Sequence, residues 1–294
     1  MLSLGKNNSL EGELVVVASA EDYFELLKPR VMSLAIFTAI IGLLLAPGSV
    51  HPLLSVFSII AIGAGAGAAG AINMWYDHDI DSIMDRTKFR PLASGNLENT
   101  DAIILLIVFL SIGLSILLSL NSTCILLGFI VFPLILLYPL MKRFTYFPQL
   151  FLAIVFNFSV LISWTAATGR FDNQSLLLYL ACIFWTLGYD TIYAYEDKED
   201  DKKIGVKSLA IYLEQNIKFW ISLFYLSFIS IFSFLGVLNN INSIFYIILI
   251  LFALKILYEF FKIEKSNSKN YVKIFHMNSW YGFFITIGLF SNYI

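Results

Sequence analysis

Two acidic strings carry residue types at a spacing suited to divalent-cation and phosphate chemistry. The first, AINMWYDHDIDSIMDRTKFRPLASG at 71–95, sets Asn73, Asp77 and Asp81 four residues apart, so a helix puts one amide and two carboxylates on a single stripe. The second, LGYDTIYAYEDKEDDKKIGVKS at 187–208, holds Asp190, Asp197 and Asp201. If its helix continues through them, the latter two fall within about 20° of the direction of Asp190. Mg2+ takes oxygen ligands in octahedral geometry and is commonly held by one or two carboxylates, with diphosphate oxygens and water completing the shell. The expected metal ligands are therefore Asn73, Asp77, Asp81, Asp190, Asp197 and Asp201, with catalysis depending on Asp77, Asp81, Asp190 and Asp197. Arg86 and Arg90 follow the first string and Lys202, Lys203 and Lys207 belong to the second, where cations could grip the same anion. The competing reading makes both strings solvated interfacial loops. Carboxylates at the edge of apolar segments, with basic residues directly downstream in both cases, argue against it.

The elements that must position these strings are set by the solvent. Of 294 residues 59% are hydrophobic and 14% charged, more apolar surface than a water-soluble domain hides. Spanning the hydrocarbon takes about 20 apolar residues in a helix, which satisfies its own backbone. Nine segments qualify, near 31–47, 52–76, 102–120, 122–140, 148–168, 174–194, 217–237, 242–260 and 278–293. The fold class expected is all-α, a polytopic membrane protein. Small residues at 63–71, GAGAGAAGA, allow close helix packing, and Pro133 and Pro139 predict a kink or break in the fourth span.

Charge then fixes sides. All but Arg170 and Lys255 of the 19 basic residues fall on one face of this topology, from Lys6, Lys28 and Arg30 to Lys262, Lys265, Lys269 and Lys273. The positive-inside rule reads that face as cytoplasmic, with the N-terminus inside and the C-terminus outside. Both acidic strings follow even-numbered spans, so both emerge on that face. Residues 1–27 read as a cytoplasmic tail and 28–294 as the membrane domain; the VVVASA stretch at 15–20 lacks the basic lead and apolar length of a signal peptide. The net charge of −2 and the scattered basic residues give no nucleic-acid footprint. Cys124 and Cys182 lie apart in apolar runs and suggest neither a disulfide nor a thiolate metal site. His78 points off the first acidic stripe, while His51 and His276 are expected in loops.

These strings resemble the paired Asp-rich motifs of the UbiA superfamily of intramembrane prenyltransferases, and the resemblance spans nearly the whole chain. It implies nine transmembrane helices around a central cavity and Mg2+-dependent transfer of a prenyl group from a polyprenyl diphosphate to an aromatic acceptor. Arg86, Arg90, Lys142, Arg143 and Lys207 would contact the diphosphate. Asn157, with Ser163, Trp164 and Thr165, would meet the acceptor or else bond neighbouring helices. No protein partner is implied, and the location implied is an inner membrane, bacterial or mitochondrial. The second half, including YPLMKRFTYFPQLFLAIVFNFSVLISWTAATG at 138–169 and KIFHMNSWYGFFITIGL near the end, is similar to the 4-hydroxybenzoate polyprenyltransferases of ubiquinone synthesis. The first third, including DYFELLKPRVMSLAIFTAIIGLLLAPG at 22–48, is similar to the farnesyltransferases that make heme O. Met74 stands where the hydroxybenzoate branch usually has another aspartate, and the His-Ser-Trp segment of the heme branch is missing. From other classes, a secondary transporter would place its binding groups near the bilayer midplane on broken helices, and an inactive membrane scaffold would need no site.

Overall fold

The computed structural model describes residues 18–48, 51–266 and 270–293, and every regular element among them is helical. In chain order these are α1 (Ala20–Leu26), α2 (Pro29–Leu45), α3 (Pro52–Asp81), α4 (Asn99–Leu117), α5 (Ser122–Leu137) and α6 (Met141–Phe144). There follow α7 (Pro148–Thr168), α8 (Asn173–Ile204), α9 (Leu209–Tyr212), α10 (Ile217–Leu238), α11 (Ser243–Ser266) and α12 (Tyr271–Phe290). Proline opens α2, α3 and α7, where its missing N–H would have no helical partner anyway.

Each of the nine expected spans coincides with one long helix. Seven stretches, α5 taken together with α6, are on their own long and apolar enough to cross a bilayer, and α1 with α2, bent by 52°, makes an eighth. The ninth expectation falls on α12, whose first half is diluted by Lys273, His276 and Asn278 and does not reach that apolarity. Among the described residues the structure therefore carries seven to eight spans by length and composition and does not establish nine. It also moves His276 out of the expected loop and into α12, which begins at Tyr271.

Residues 1–17 of the expected tail, with Lys6, lie outside the described residues, as do Lys269 and the side chain of Lys265. Residues 20–26 form α1. Ser19 and Asp22 cap it reciprocally, Leu26 is buried, and Tyr23 donates from its hydroxyl to Asp101 at the start of α4 at 3.0 Å. At the α1–α2 corner Lys28 takes a left-handed backbone with φ 51°. That corner rests on the small-residue stretch of α3: a Cβ on Gly70 would come within 2.6 Å of the Leu27 carbonyl oxygen.

The core is aromatic and contains few polar groups. Trp185 of α8 stacks on Phe228 of α10 at 5.4 Å between ring centres, and Asn278 of α12 accepts from both Trp185 Nε1 and Tyr225 Oη. One fully buried amide thus ties α8, α10 and α12 together. Outward faces stay apolar, with Ile104, Ile107, Ile247, Leu251 and Leu254 more than half exposed, as lipid solvation requires. The expected break after the fourth span is present: Pro133 lies inside α5, and Pro139 sits in the single turn Tyr138–Leu140 that joins it to α6.

Candidate active site

α8 runs unbroken for 32 residues, through all three acids of the second string, until Gly205 ends it with φ 83°, a conformation that suits a residue without Cβ. α3 runs for 30 residues and stops at Asp81. The first string ends α3 and the second runs from Asp190, midway along α8, to its C-terminal turn at Asp201, so at Asp81 and Asp201 the partial negative charge of the helix end adds to that of the carboxylates. Such an arrangement calls for cations. It opens onto a cavity of about 1180 Å³ that Asn73, Asp77, Asp81, Asp190, Asp197 and Asp201 all line. All six expected ligands thus face one space.

Basic side chains stitch its walls together. Arg86 forks onto Asp197 with Nε–Oδ1 2.7 Å and Nη2–Oδ2 2.5 Å, which joins the segment after α3 to α8. Its Nη1 also donates to the Tyr193 hydroxyl at 2.7 Å, and the guanidinium lies 4.7 Å over that ring. Burial works against the charge of Arg86, but Asp197 and Tyr193 outweigh it and hold its pKa above the ordinary arginine value. Arg90 contacts both oxygens of the buried Asp81 at 2.8 Å. There burial is again the largest influence, and Tyr193 and Asp81 overcome it to raise the pKa. Lys142, delivered by the turn at Pro139, lies 2.8 Å from Asp77. Lys207 lines the cavity too, but its ammonium donates to the Phe144 carbonyl oxygen at 3.0 Å and its backbone N–H to that of Lys142 at 2.9 Å.

The carboxylates are unequally satisfied. Asp77 Oδ1 is buried and close to Lys142, yet it receives no hydrogen bond of acceptable geometry. Among the described residues the carboxylates of Asp190 and Asp201 have neither an ion pair nor a hydrogen bond, although Asp201 is buried. Carboxylate oxygens left open at a lined cavity fit a hard divalent cation. As placed, no three acidic, cysteine or histidine side chains among the described residues form a ready-made metal cage. Mg2+ rarely needs one, since phosphate oxygens supply much of its shell.

Two candidates fall outside this gathering. Arg143 forks onto Asp79 at 2.6 and 3.0 Å and donates to the Tyr76 carbonyl oxygen, bracing the outer side of α3. Asn157 is buried between α7 and α8, donating to the Ala153 carbonyl oxygen at 2.7 Å and to Thr186 Oγ1 at 2.8 Å. Of the two roles open to it, the geometry displays the helix-bonding one. Ser163 bonds within α7, Thr165 bonds within α7 and also meets Cys124 Sγ of α5 at 3.1 Å, and Trp164 is buried in the core. Conversely, Lys28, which the sequence marked only for topology, lines the cavity and donates to Asn73 Oδ1. The signal was present: a lysine directly before a helix-opening proline at a span edge.

This architecture has counterparts. It matches a solved UbiA homolog from Aeropyrum pernix K1 with TM-score 0.80 at 23% identity, over 91% of this chain and 99% of that one. A UbiA homolog from Archaeoglobus fulgidus, solved bound to GPP and Mg2+, matches with TM-score 0.67 at 16% identity, over 90% of this chain and 99% of that one. In sequence the chain is 48% identical over 167 residues to a mitochondrial 4-hydroxybenzoate polyprenyltransferase of Drosophila melanogaster, covering 55% of this chain and 43% of that protein. It is 37% identical over 210 residues to a protoheme IX farnesyltransferase of Anaplasma phagocytophilum (strain HZ), covering 69% of each. The chain thus spans less than half the length of the first curated relatives it matches. The model of the UbiA prenyltransferase family matches residues 35–285, a stretch that includes every expected metal ligand, and the chain belongs to that family.

Proposed function

We propose that this chain transfers a prenyl group from a polyprenyl diphosphate to an aromatic acceptor, with 4-hydroxybenzoate as the acceptor and Mg2+ as the cofactor. The observation that carries the reading is the meeting of two acidic helix ends, one from α3 and one from α8, over a single cavity braced by arginine and lysine. Asn73, Asp77, Asp81, Asp190, Asp197 and Asp201 would hold the metal, which supplies a positive charge against the charge gathering on the leaving diphosphate. Arg86, Arg90, Lys142 and Lys207 bind the same diphosphate and hold it in register. Tyr138, Tyr189, Tyr193 and Phe275 line the cavity, where ring faces shield an electron-poor allylic carbon from water. The archaeal homolog solved with GPP and Mg2+ supports the cofactor and the donor.

A second acceptor, heme B, is favoured by the Anaplasma relative, which this chain covers more evenly than it does the Drosophila one. A transporter is disfavoured because α3 and α8 run unbroken through their acids, where a transporter would use broken helices. The one-sided basic residues support a cytoplasmic N-terminus, with the cavity facing that side of an inner membrane. Membranes containing the chain, given labelled prenyl diphosphate with 4-hydroxybenzoate and heme B side by side, test the reading. Prenylated hydroxybenzoate that vanishes on chelation of Mg2+ is the expected product. No metal-dependent diphosphate release with any aromatic acceptor would overturn the assignment.

A further inference from the structure

The cavity has a second polar patch that the acidic helix ends do not account for. α2 and α12 line it with Arg30, Ser33, His276 and Ser279. Neither helix contains an aspartate or glutamate. Arg86, Arg90 and Arg143 each grip a carboxylate, whereas among the described residues Arg30 has no ion pair and instead brings Nη1 to within 2.6 Å of His276 Nε2. Beside them Ser33 Oγ donates to Ser279 Oγ at 3.4 Å. A guanidinium keeps its protons, so Arg30 donates and Nε2 accepts, which leaves the imidazole neutral with its hydrogen on Nδ1. A cation without an acid partner and a basic nitrogen held beside it are what a carboxylated aromatic ring requires in this reaction.

We infer that Arg30 and His276 form the acceptor subsite, the guanidinium taking the acceptor's carboxylate and the imidazole taking the ring proton. The inference rests on the proposed prenyl transfer. An arriving carboxylate draws the Arg30 donors to itself and frees the Nε2 lone pair. As the allylic C–O bond breaks, diphosphate leaves with its electron pair, and ring π electrons form the new C–C bond. The hydrogen on the attacked ring carbon then passes as a proton to Nε2, and the C–H electron pair restores aromaticity.

The test uses full-length chain in membranes, 4-hydroxybenzoate with hydrogen or deuterium ortho to its hydroxyl, and His276→Gln and Arg30→Gln variants. His276→Gln should lower turnover on the order of 100-fold. It should also expose a deuterium isotope effect absent from the parent, with Mg2+-dependent binding of prenyl diphosphate in the absence of acceptor left unchanged. Arg30→Gln should raise KM for the acceptor about 10-fold or more with a smaller change in kcat. Retained turnover without an isotope effect in His276→Gln overturns the inference, and so does loss of prenyl-diphosphate binding in both variants, which would mark the pair as a brace between α2 and α12. Absence of transfer by the parent chain itself would defeat the prenyl-transfer reading, and this inference with it.

Discussion

The acidic end of α3 and the acidic end of α8 look alike in sequence but are in different electrostatic states. On α3, Asn73 is bonded to Lys28, Asp77 is approached by Lys142 and Asp81 is chelated by Arg90. Of the three candidate ligands on α8 only Asp197 is so engaged, through Arg86, while Asp190 and Asp201 have no ion pair among the described residues. The difference teaches that the α3 end is already built as a mixed-charge cradle. The α8 end keeps open oxygens, and a carboxylate near the low-dielectric interior without a partner is costly unless a cation arrives.

The sharpest way to break this comparison is to remove one acid from each end. Asp77→Ala and Asp190→Ala should each lower turnover on the order of 1000-fold while leaving membrane insertion intact, a magnitude typical of lost transition-state charge stabilisation. Full activity in both would remove the clamp. Next comes the bridge between the two ends. Arg86→Gln should weaken prenyl-diphosphate binding by about 2 kcal/mol, the scale of a charged hydrogen-bond pair, read as a rise in KM of roughly 30-fold. If Arg86→Gln lowers the unfolding temperature and leaves KM alone, the pair is only a structural tie.

Two smaller effects separate how each end is held in place. Gly70 lies three residues before Asn73 and lets the α1–α2 corner close on α3, so Gly70→Ala should cost about 1.5 kcal/mol of stability through overpacking against the Leu27 carbonyl. Thermal unfolding in detergent measures it, and an unchanged midpoint would mean that the corner gives way. Asn157→Ala removes the hydrogen bond to Thr186, four residues before Asp190, and should cost about 0.6 kcal/mol, the average for polar contacts between membrane helices. KM for the acceptor should not change; a large rise would restore Asn157 to the acceptor site.

Local periodicity carried most of what the sequence could tell. Spacing of four put Asn73, Asp77 and Asp81 on one stripe, and α8 does continue through Asp201 as its stripe required. The hydrophobic segments located every long helix, although α12 begins seven residues before the expected 278 because Lys273, His276 and Asn278 mask its start. What spacing cannot reveal is which cation meets which acid. Arg86 reaches Asp197 across 111 residues of chain, and Arg30 reaches His276 across 246. Those pairings follow from how α2, α3, α8 and α12 pack, a tertiary outcome with no local signature. Asn157 was ambiguous for the same reason: a buried amide in a membrane helix bonds whatever packing brings near it, and here that is Thr186.

The most direct test of the shared clamp is a double-mutant cycle on Mg2+-dependent prenyl-diphosphate binding, using Asp77→Asn, Asp190→Asn and the pair together. Two helix ends acting on one metal–diphosphate unit predict strong coupling, with the double variant hardly weaker than either single one. Losses that simply add would mean that the two ends bind separately, and would contradict the account.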